Sequence, residues 1–585
     1  MWSRYWRDVG EATNAQGMTC FWSFKLWWTC LVRKRAPSLF ALTVGHSISL
    51  WCWCAMVVAV LPTGTAAVAR KTSAHQDIQR EERCRALLNS DFSEVQDAPT
   101  RITEANQVPA DGDAPSHCEV TGYVAPNVVF LLRLPSESWN GKLIEFGCGG
   151  FCGEFALALP WCENLVREGY ACILSDNGHR STFLDALWAY NNLQAEVDHG
   201  YRAAHVTALA GKAIVARYYA QSARRSYFVG CSTGGRQGMV EAQRFPWDFN
   251  GIIAGAPTLS VAGSSLTVIW ALRELTDRNR KPLLSLEQLK MVHMAALKKC
   301  DVDDGVRDGI ISNPVSCEFD PVSLLCRDGE ASGCLNNAQV DALRKVYAGP
   351  QTSKGATVYP GRAFPGAELN LPSTGPGAPQ IEPWFDFVAD AFRYTVFDLA
   401  PGPSWRPENF DFDQDYKRMG ESESLSSARN PDLRAFKAAG GKLIAYVGLN
   451  DIYQADVAMD YYNMVERVMG GRGSTQDFFR LFVIPGMNHC SGGDGAFDVD
   501  YLSYLDDWVE KDRVPDKLVG FHVKTEDLTN QGSGGTNEQL ARRLAFPLDQ
   551  KMIEFSRPIY PYPTRAKYLG QGDPRSEANF GPVEP

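Results

Sequence analysis

The chain has 585 residues, a formal net charge of −10 and an isoelectric point near 5.5. Because this length exceeds what one compact core uses, we expect two or more domains. The acidic balance, without a basic patch or an internal repeat, argues against nucleic-acid binding. Sixteen cysteines are many for a cytosolic enzyme and indicate an oxidising compartment.

The first 69 residues have the features of an export segment. Basic residues at 33–35 precede a mostly apolar run from Leu39 to Leu61, and Thr-Ala-Ala-Val-Ala follows at 65–69. This order predicts a signal peptide cleaved after Ala69, and the mature chain, which has no Asn-x-Ser/Thr sequon, is expected to be periplasmic or secreted. The run is also long enough to span a bilayer, so an uncleaved membrane segment is the alternative. The Trp-rich stretch before it leaves a true start at Met18 open.

A glycine-rich loop follows an early strand. Residues 142–146 predict the strand, and 147–153 read Gly-Cys-Gly-Gly-Phe-Cys-Gly. In an α/β-hydrolase, a loop at this place supplies one of the two backbone N–H groups that bind the oxyanion, and glycine lets the backbone approach the substrate. We expect Gly150 to be the donor, with Gly149 as the alternative. A nucleotide fingerprint does not accompany these glycines.

The sequence Gly-Cys-Ser-Thr-Gly at 230–234 fits the nucleophile elbow Gly-x-Ser-x-Gly. An apolar, β-prone run at 226–229 precedes it, and a segment able to form a helix follows at 235–243. Strand, tight turn and helix are the context in which a serine hydroxyl projects into a cleft. We therefore predict Ser232 as nucleophile and the Thr233 N–H as the second oxyanion donor. A simple strand–helix turn is the alternative.

After a predicted strand at 251–257, the pattern becomes irregular until about residue 442. We expect 258–432 to be a lid domain inserted between two parts of one α/β core, 70–257 and 433–585. Aromatic residues in the insertion are candidates for the wall of a pocket that binds an aromatic ligand, although each is more often ordinary core. They are Trp384, Phe385, Phe387, Phe392, Tyr394, Trp405 and Phe410.

A loop at 300–311 carries closely spaced aspartates broken by glycine. These carboxylates would repel one another unless a hard cation lay between them, and calcium accepts carboxylate and carbonyl oxygens in flexible geometry. The loop is not an EF-hand, because Val306 and Ser312 stand where that pattern requires glycine and glutamate. A solvated acidic turn is the alternative.

The remaining members of a serine triad are expected after two further strands. Residues 442–448 predict a buried strand, and Asp451 lies three residues beyond it. That is the place of the acid that orients the histidine, with Asp456 as a rival. His489 follows a predicted strand at 479–484 and a turn, which favours it as the base, and His179 is the runner-up.

Cysteines adjoin both the predicted nucleophile and the predicted base. If Ser232 and His489 meet, Cys231 and Cys490 lie close as well, and a disulfide would join the two loops. The pairing of Gly-Cys-Ser-x-Gly with His-Cys resembles the tannase and feruloyl esterase family, which includes terephthalate-monoester hydrolases. The resemblance extends from about Cys84 to the C-terminus.

The resemblance implies an α/β-hydrolase core with a large inserted lid domain, a structural Ca²⁺ and three further disulfides. The implied calcium ligands are the side chains of Asp301, Asp304 and Asp308 and the carbonyls of Val306 and Ile310, with Asp303 pointing outward. The implied disulfides are Cys84–Cys118, Cys300–Cys317 and Cys326–Cys334. The pairing of Cys148, Cys152, Cys162 and Cys172 stays open.

The function expected from the residues is ester hydrolysis through an acyl-enzyme on Ser232. The resemblance implies aromatic-acid esters of feruloyl or galloyl type as the small-molecule substrates. Terephthalate monoesters are the alternative, and a non-enzymatic, calcium-stabilised exported binding protein is a second one. The sequence does not determine the oligomeric state.

Overall fold

The structure, a computed structural model, describes residues 77–523 except 113, 157, 330–331 and 379–380, together with 548 and 550–584. The predicted export segment, 1–69, lies outside the described residues. Among the residues described, no helix combines the length and apolar character needed to cross a membrane.

A nine-stranded sheet forms the centre, in the order β1-β2-β3-β5-β4-β6-β7-β8-β9. The strands are β1 (Thr100–Val108), β2 (His117–Val124), β3 (Val128–Pro135), β4 (Lys142–Phe146), β5 (Ala171–Ser175), β6 (Arg225–Cys231), β7 (Gly251–Gly255), β8 (Lys442–Gly448) and β9 (Phe479–Ile484). Pairing is antiparallel from β1 through β3 to β5 and parallel from β5 to β9. The parallel run aligns the carboxyl ends of β4, β6, β7, β8 and β9 at one edge of the sheet.

Helices cover both faces of this sheet. Their bounds are α1 (Leu159–Arg167), α2 (Leu193–Val197), α3 (Ala203–Tyr219), α4 (Thr233–Arg244), α5 (Val261–Glu274), α6 (Leu286–Cys300), α7 (Asn337–Ala348), α8 (Glu382–Asp390), α9 (Gly420–Ser426), α10 (Arg434–Ala438), α11 (Ala455–Val468), α12 (Arg472–Gln476) and α13 (Tyr501–Lys511). Strands β5 and β7 are buried at every residue. Burial on both faces is why these strands are continuous apolar runs rather than alternating ones.

The side chains of each parallel strand point alternately to two cores. Ile144, Tyr227 and Ile444 pack with Trp508 of α13 on one face. On the other face, Leu143 packs with α3, and neighbouring strands pack with α4. Alternation along a strand therefore holds the sheet between two helical layers.

The chain leaves the sheet after β7 and re-enters it at β8, so residues between Gly255 and Lys442 add no strand to it. The sequence predicted irregular structure here, and this prediction is wrong for α5, α6 and α7, which are regular helices. Ser285 and Asn336 form capping boxes at the starts of α6 and α7. Helix α5 is buried on most sides, which removes the amphipathic period that would have marked it. The limits 258–432 of the insertion stay a prediction.

Four strands near the C-terminus lie outside the central sheet. They are β10 (Leu518–Val523), β11 (Ile553–Ile559), β12 (Arg565–Tyr568) and β13 (Phe580–Val583). Strand β10 pairs with β11 and β12 with β13, both antiparallel. Among the described residues of the predicted second part of the core, β8 and β9 are therefore the strands that extend the nine-stranded sheet.

The twelve cysteines from Cys84 onwards form six disulfides. Four are the pairs expected above, Cys84–Cys118, Cys231–Cys490, Cys300–Cys317 and Cys326–Cys334. The two pairings left open are Cys148–Cys152 and Cys162–Cys172. Six disulfides are compatible with an oxidising, extracytoplasmic compartment.

Candidate active site

Ser232 lies at the turn between β6 and α4. Its backbone has φ +61° and ψ −118°, a conformation that non-glycine residues adopt rarely. A Cβ added to Gly230 would lie 2.6 Å from the backbone of Gly234, and one added to Gly235 would lie 2.2 Å from the Gly255 carbonyl oxygen. The flanking glycines therefore allow the tight turn that carries the serine at the sheet edge.

Asp451 follows β8 and His489 follows β9. Nδ1 of His489 lies 2.7 Å from Oδ2 of Asp451. The carboxylate is buried, whereas the imidazole remains partly exposed. The rival Asp456 instead accepts a hydrogen bond of 2.5 Å from Nε of Arg362. The structure therefore pairs Asp451, rather than Asp456, with the histidine.

The disulfide Cys231–Cys490 joins the loop of Ser232 to the loop of His489. The two cysteine Cα atoms are 5.9 Å apart across a sequence separation of 259 residues. Ser232, Asp451 and His489 all line one cavity. The bridge therefore connects the predicted nucleophile and base at the surface that they share.

This cavity has a volume of about 360 Å³ and mostly apolar walls. Strand-end loops supply one side, and helices α5 and α8 of the insertion supply the other. Of the seven aromatic residues considered as pocket walls, Trp384 and Phe387 line the cavity. The rest belong to the core or pack against it, namely Phe385, Phe392, Tyr394, Trp405 and Phe410.

The glycine-rich loop borders the same cavity through Gly150 and Phe151. The Thr233 hydroxyl donates a hydrogen bond of 2.7 Å to the Gly150 carbonyl oxygen. Gly150 has φ +56°, and an added Cβ would lie 2.2 Å from the Phe183 carbonyl oxygen, so glycine is required there. Gly149, the alternative donor, lines a different cavity. Gly150 and Thr233 thus line the same cavity as Ser232, and the oxyanion role of their N–H groups stays a prediction.

Two buried histidines near this loop carry no charge at neutral pH. Burial lowers the pKa of His179, the runner-up base, to about 4. Burial, the Arg236 guanidinium and then His179 hold the pKa of His199 well below its ordinary range. His179 contacts the Phe151 carbonyl rather than Ser232. Sequence reasoning missed this position, because a histidine in a loop gives no sign of which backbone group it will meet.

The aspartate-rich loop follows α6 and is anchored by Cys300–Cys317. The Asp301 carboxylate accepts hydrogen bonds from the N–H groups of Asp308 and Gly309. Burial is the largest cause that raises the pKa values of Asp301 and Asp304. Asp303 faces away and pairs with Arg565 at 3.0 Å.

The donors of this loop fit a calcium ion in chemistry, because all are hard oxygens. Hydrogen bonds occupy the carbonyls of Cys300, Val302 and Asp304, whereas no donor among the described residues reaches those of Val306 or Ile310. The two carbonyls implied as ligands are therefore available to a cation, as are others in the described loop, such as those of Gly305 and Arg307.

A second acidic group lies in the core. His205 Nδ1 is 2.5 Å from Asp248 Oδ2, and the oxygens of Glu241 lie close by without a hydrogen-bond partner among the described residues. Burial, then the neighbouring carboxylates Asp248 and Glu145, raise the pKa of Glu241 well above its ordinary value. Lys212 donates to the Asp248 carbonyl. The Lys212 ammonium, 3.8 Å from Asp248 Oδ1, offsets part of the negative charge of this group.

Comparisons with known proteins agree with this geometry. The sequence profile of the family described as tannase and feruloyl esterase matches residues 113–583. The chain is 31% identical over 578 residues to mono(2-hydroxyethyl) terephthalate hydrolase of Piscinibacter sakaiensis, covering 86% of this chain and 92% of that protein. It is 28% identical over 552 residues to a probable feruloyl esterase B-2 of Aspergillus terreus, covering 88% and 96%.

A solved structure shows the same fold. The crystal structure of feruloyl esterase B from Aspergillus oryzae matches with a TM-score of 0.70 and 26% identity, over 86% of this chain and all of that one. The expected fold class, an α/β-hydrolase core with an inserted lid domain, is confirmed. The alternative of a non-enzymatic binding protein has no support. The chain belongs to the tannase and feruloyl esterase family and is a carboxylic ester hydrolase.

Proposed function

We propose that this protein hydrolyses aromatic-acid esters through an acyl-enzyme on Ser232, with His489 as base and Asp451 as its orienting acid. The observation that carries the proposal is the 2.7 Å contact between His489 Nδ1 and the buried Asp451 carboxylate, in the cavity that Ser232 lines. Because Nδ1 donates to the carboxylate, Nε2 is left to accept the proton of the serine hydroxyl.

The chemistry follows in two steps. Ser232 attacks the ester carbonyl while His489 takes its proton, and the imidazolium then protonates the departing alcohol. His489 next activates a water molecule, which releases the acid from Ser232. The N–H groups of Gly150 and Thr233 stabilise the oxyanion in both steps. Ser232 stands at the N-terminus of α4, where the helix dipole also favours negative charge.

The acyl group that fits best is an uncharged aromatic acid of feruloyl or galloyl type. The cavity walls are apolar and include Trp384 and Phe387. Among the described residues that line the cavity, none is Lys or Arg. A free carboxylate buried there would lose its hydration without gaining a partner, which is unfavourable. Terephthalate monoesters, which carry such a carboxylate, are the second candidate because of the similarity to the terephthalate hydrolase.

We propose in addition that the aspartate-rich loop holds a structural calcium ion and that the protein is exported. The calcium proposal is supported by three carboxylates and two available carbonyls in one disulfide-anchored loop. Its ligands would be Asp301, Asp304, Val306, Asp308 and Ile310, and the ion would stabilise the insertion rather than take part in the reaction. Six disulfides support export to an oxidising compartment.

A hydrolysis panel tests the substrate class. Methyl ferulate, methyl gallate and monomethyl terephthalate would be compared by kcat/KM at pH 7. The proposal predicts that a neutral phenolic ester is hydrolysed at least tenfold better than the anionic monoester. Preferential hydrolysis of the monoester would instead support the second candidate, and no hydrolysis of any aryl ester would refute both.

A further inference from the structure

His179 contacts the glycine-rich loop but is not among the residues that line the cavity. It ends the Asp-Asn-Gly-His sequence at 176–179, just after β5, and is 5% exposed. Its Nε2 lies 2.8 Å from the carbonyl oxygen of Phe151, the residue after Gly150. We propose that His179 is a positioning residue for catalysis, which fixes the Gly150 N–H in the direction of the oxyanion. This inference rests on the proposed function.

The direction of the hydrogen bond follows from chemistry. A carbonyl oxygen only accepts, so Nε2 must carry the proton and donate it to Phe151. Because burial lowers its pKa to about 4, the ring is neutral at pH 7, and Nδ1 is therefore bare. Nδ1 is buried without a hydrogen-bond partner among the described residues. The 2.8 Å hydrogen bond from Nε2 thus connects this ring to the glycine-rich loop.

The His179 ring is itself held firmly. Trp188 stacks on it with a centroid distance of 3.7 Å and an interplanar angle of 13°. The Asp176 side chain accepts hydrogen bonds from the N–H groups of Gly178 and Val129, the latter on β3. These contacts tie the histidine to the central sheet rather than to the loop that it supports.

Three hydrogen bonds together fix the Gly150–Phe151 segment. Thr233 donates to the Gly150 carbonyl, the Phe151 N–H donates to Phe183 at 2.8 Å, and His179 donates to the Phe151 carbonyl. The three partners lie in different parts of the chain. Thr233 begins α4, Phe183 lies in the loop between β5 and α2, and His179 lies just after the end of β5. Within the described part of the loop, the Gly150 N–H has no acceptor, so it is available to the oxyanion.

Loss of the His179 hydrogen bond should affect the transition state more than the bound substrate. The ground-state ester carbonyl depends little on the oxyanion donors, whereas the tetrahedral intermediate depends on them strongly. A loosened loop should therefore lower kcat and leave KM nearly unchanged. Gln places an amide N–H near the position of Nε2 and should restore the donor, whereas Leu fills the space without one.

The test compares His179→Leu with His179→Gln on methyl ferulate. We expect kcat to fall about 30-fold in the Leu variant, with KM within twofold, and to recover to within about fivefold in the Gln variant. An aryl trifluoromethyl ketone, which forms a tetrahedral adduct with serine, should bind the Leu variant more weakly by the same factor. The affinity for ferulic acid, a ground-state ligand, should not change.

His522→Leu is the matched control. His522 is also buried and contacts one carbonyl, that of Gly495, at 2.8 Å, but it lies on β10 away from the cavity. Two results would overturn the inference. One is a loss of kcat in His522→Leu as large as that in His179→Leu, and the other is a kcat of His179→Gln no higher than that of His179→Leu. If His179→Leu fails to fold, His179→Gln alone tests the inference. A loss above 30-fold in its kcat or in its affinity for the trifluoromethyl ketone would then overturn the inference. Absence of esterase activity in the unaltered protein would instead refute the proposed function, and the inference with it.

Discussion

The carboxyl edge of the sheet and the insertion contribute to the cavity in different ways. Ser232, Asp451 and His489 each lie within a few residues of the end of a parallel strand. The insertion contributes walls, among them Val268, Trp384 and Phe387. The proposed catalytic groups thus come from the end of the sheet, and the groups proposed to contact the substrate come from helices outside it.

This division predicts how substitutions will act. Changes at the sheet edge should lower kcat for every ester by a similar factor. Changes in the insertion should alter the preference among esters or the stability, and should leave the chemical step nearly intact. Four comparisons test this division, and they are given in order of decreasing effect.

Asp451→Asn should lower kcat by about 10⁴-fold, because an amide holds His489 in the wrong tautomer. Asp456→Asn is the control, since that carboxylate contacts Arg362 and not the histidine. We expect its kcat to stay within threefold of the unaltered protein. Steady-state kinetics on methyl ferulate measures both, and equal losses would contradict the assignment of Asp451.

Removal of the Cys231–Cys490 bridge should impair both chemistry and stability. With Cys231→Ala/Cys490→Ala, we expect kcat to fall about 100-fold, because the serine and histidine loops lose their covalent link. The free energy of unfolding should fall by about 5 kcal/mol, since the bridge closes a long segment.

The matched variant is Cys162→Ala/Cys172→Ala, whose bridge spans 10 residues. It should lower the free energy of unfolding by about 3 kcal/mol and leave kcat within twofold. Denaturant unfolding and ester hydrolysis would be measured on both variants. A similar kcat in the two would show that the bridge beside Ser232 has no catalytic role.

Calcium removal should act on stability. We expect EDTA to lower the melting temperature of the protein by roughly 5 °C, because ligand binding to the folded state stabilises it. Asp304→Asn should lower the melting temperature to a similar extent and abolish the effect of EDTA. In Asp303→Asn, EDTA should still lower the melting temperature, because Asp303 is exposed and pairs with Arg565. Calorimetry in calcium and in EDTA checks these outcomes, and an EDTA effect that persists in Asp304→Asn would count against the site.

Trp384→Ala should have the smallest effect. This side chain is half exposed at the cavity wall and packs on Phe387 with a centroid distance of 6.1 Å. We expect KM for methyl ferulate to rise about fivefold, through lost aromatic contact, with kcat for a small ester such as methyl acetate unchanged. An equal loss of kcat on both esters would instead show that Trp384 affects the chemical step, as residues at the end of the sheet are expected to do.

The same division explains what the sequence could predict. Strands β6, β8 and β9 were expected at nearly their observed positions, because burial on both faces makes them short apolar runs bounded by turns. The three residues of the proposed triad were assigned from those strand ends. The helices of the insertion were missed where burial on most sides hides their period, as in α5.

Other features depend on contacts that no local pattern records. The pairings Cys148–Cys152 and Cys162–Cys172 are set by where α1 and the glycine-rich loop lie against the sheet. His179 was considered only as a base. Its hydrogen bond to Phe151 arises because β5 and β4 are neighbours in the sheet although they are separated along the chain by α1.

Mass spectrometry of the protein during turnover would detect the proposed acyl-enzyme on Ser232 directly. After rapid acid quench with an activated feruloyl ester, the account predicts a mass increase of one feruloyl group, and peptide mapping should locate it on Ser232. Ser232→Ala should show no adduct and no turnover while its melting temperature stays unchanged. An adduct on another residue, or full turnover by Ser232→Ala, would contradict the account.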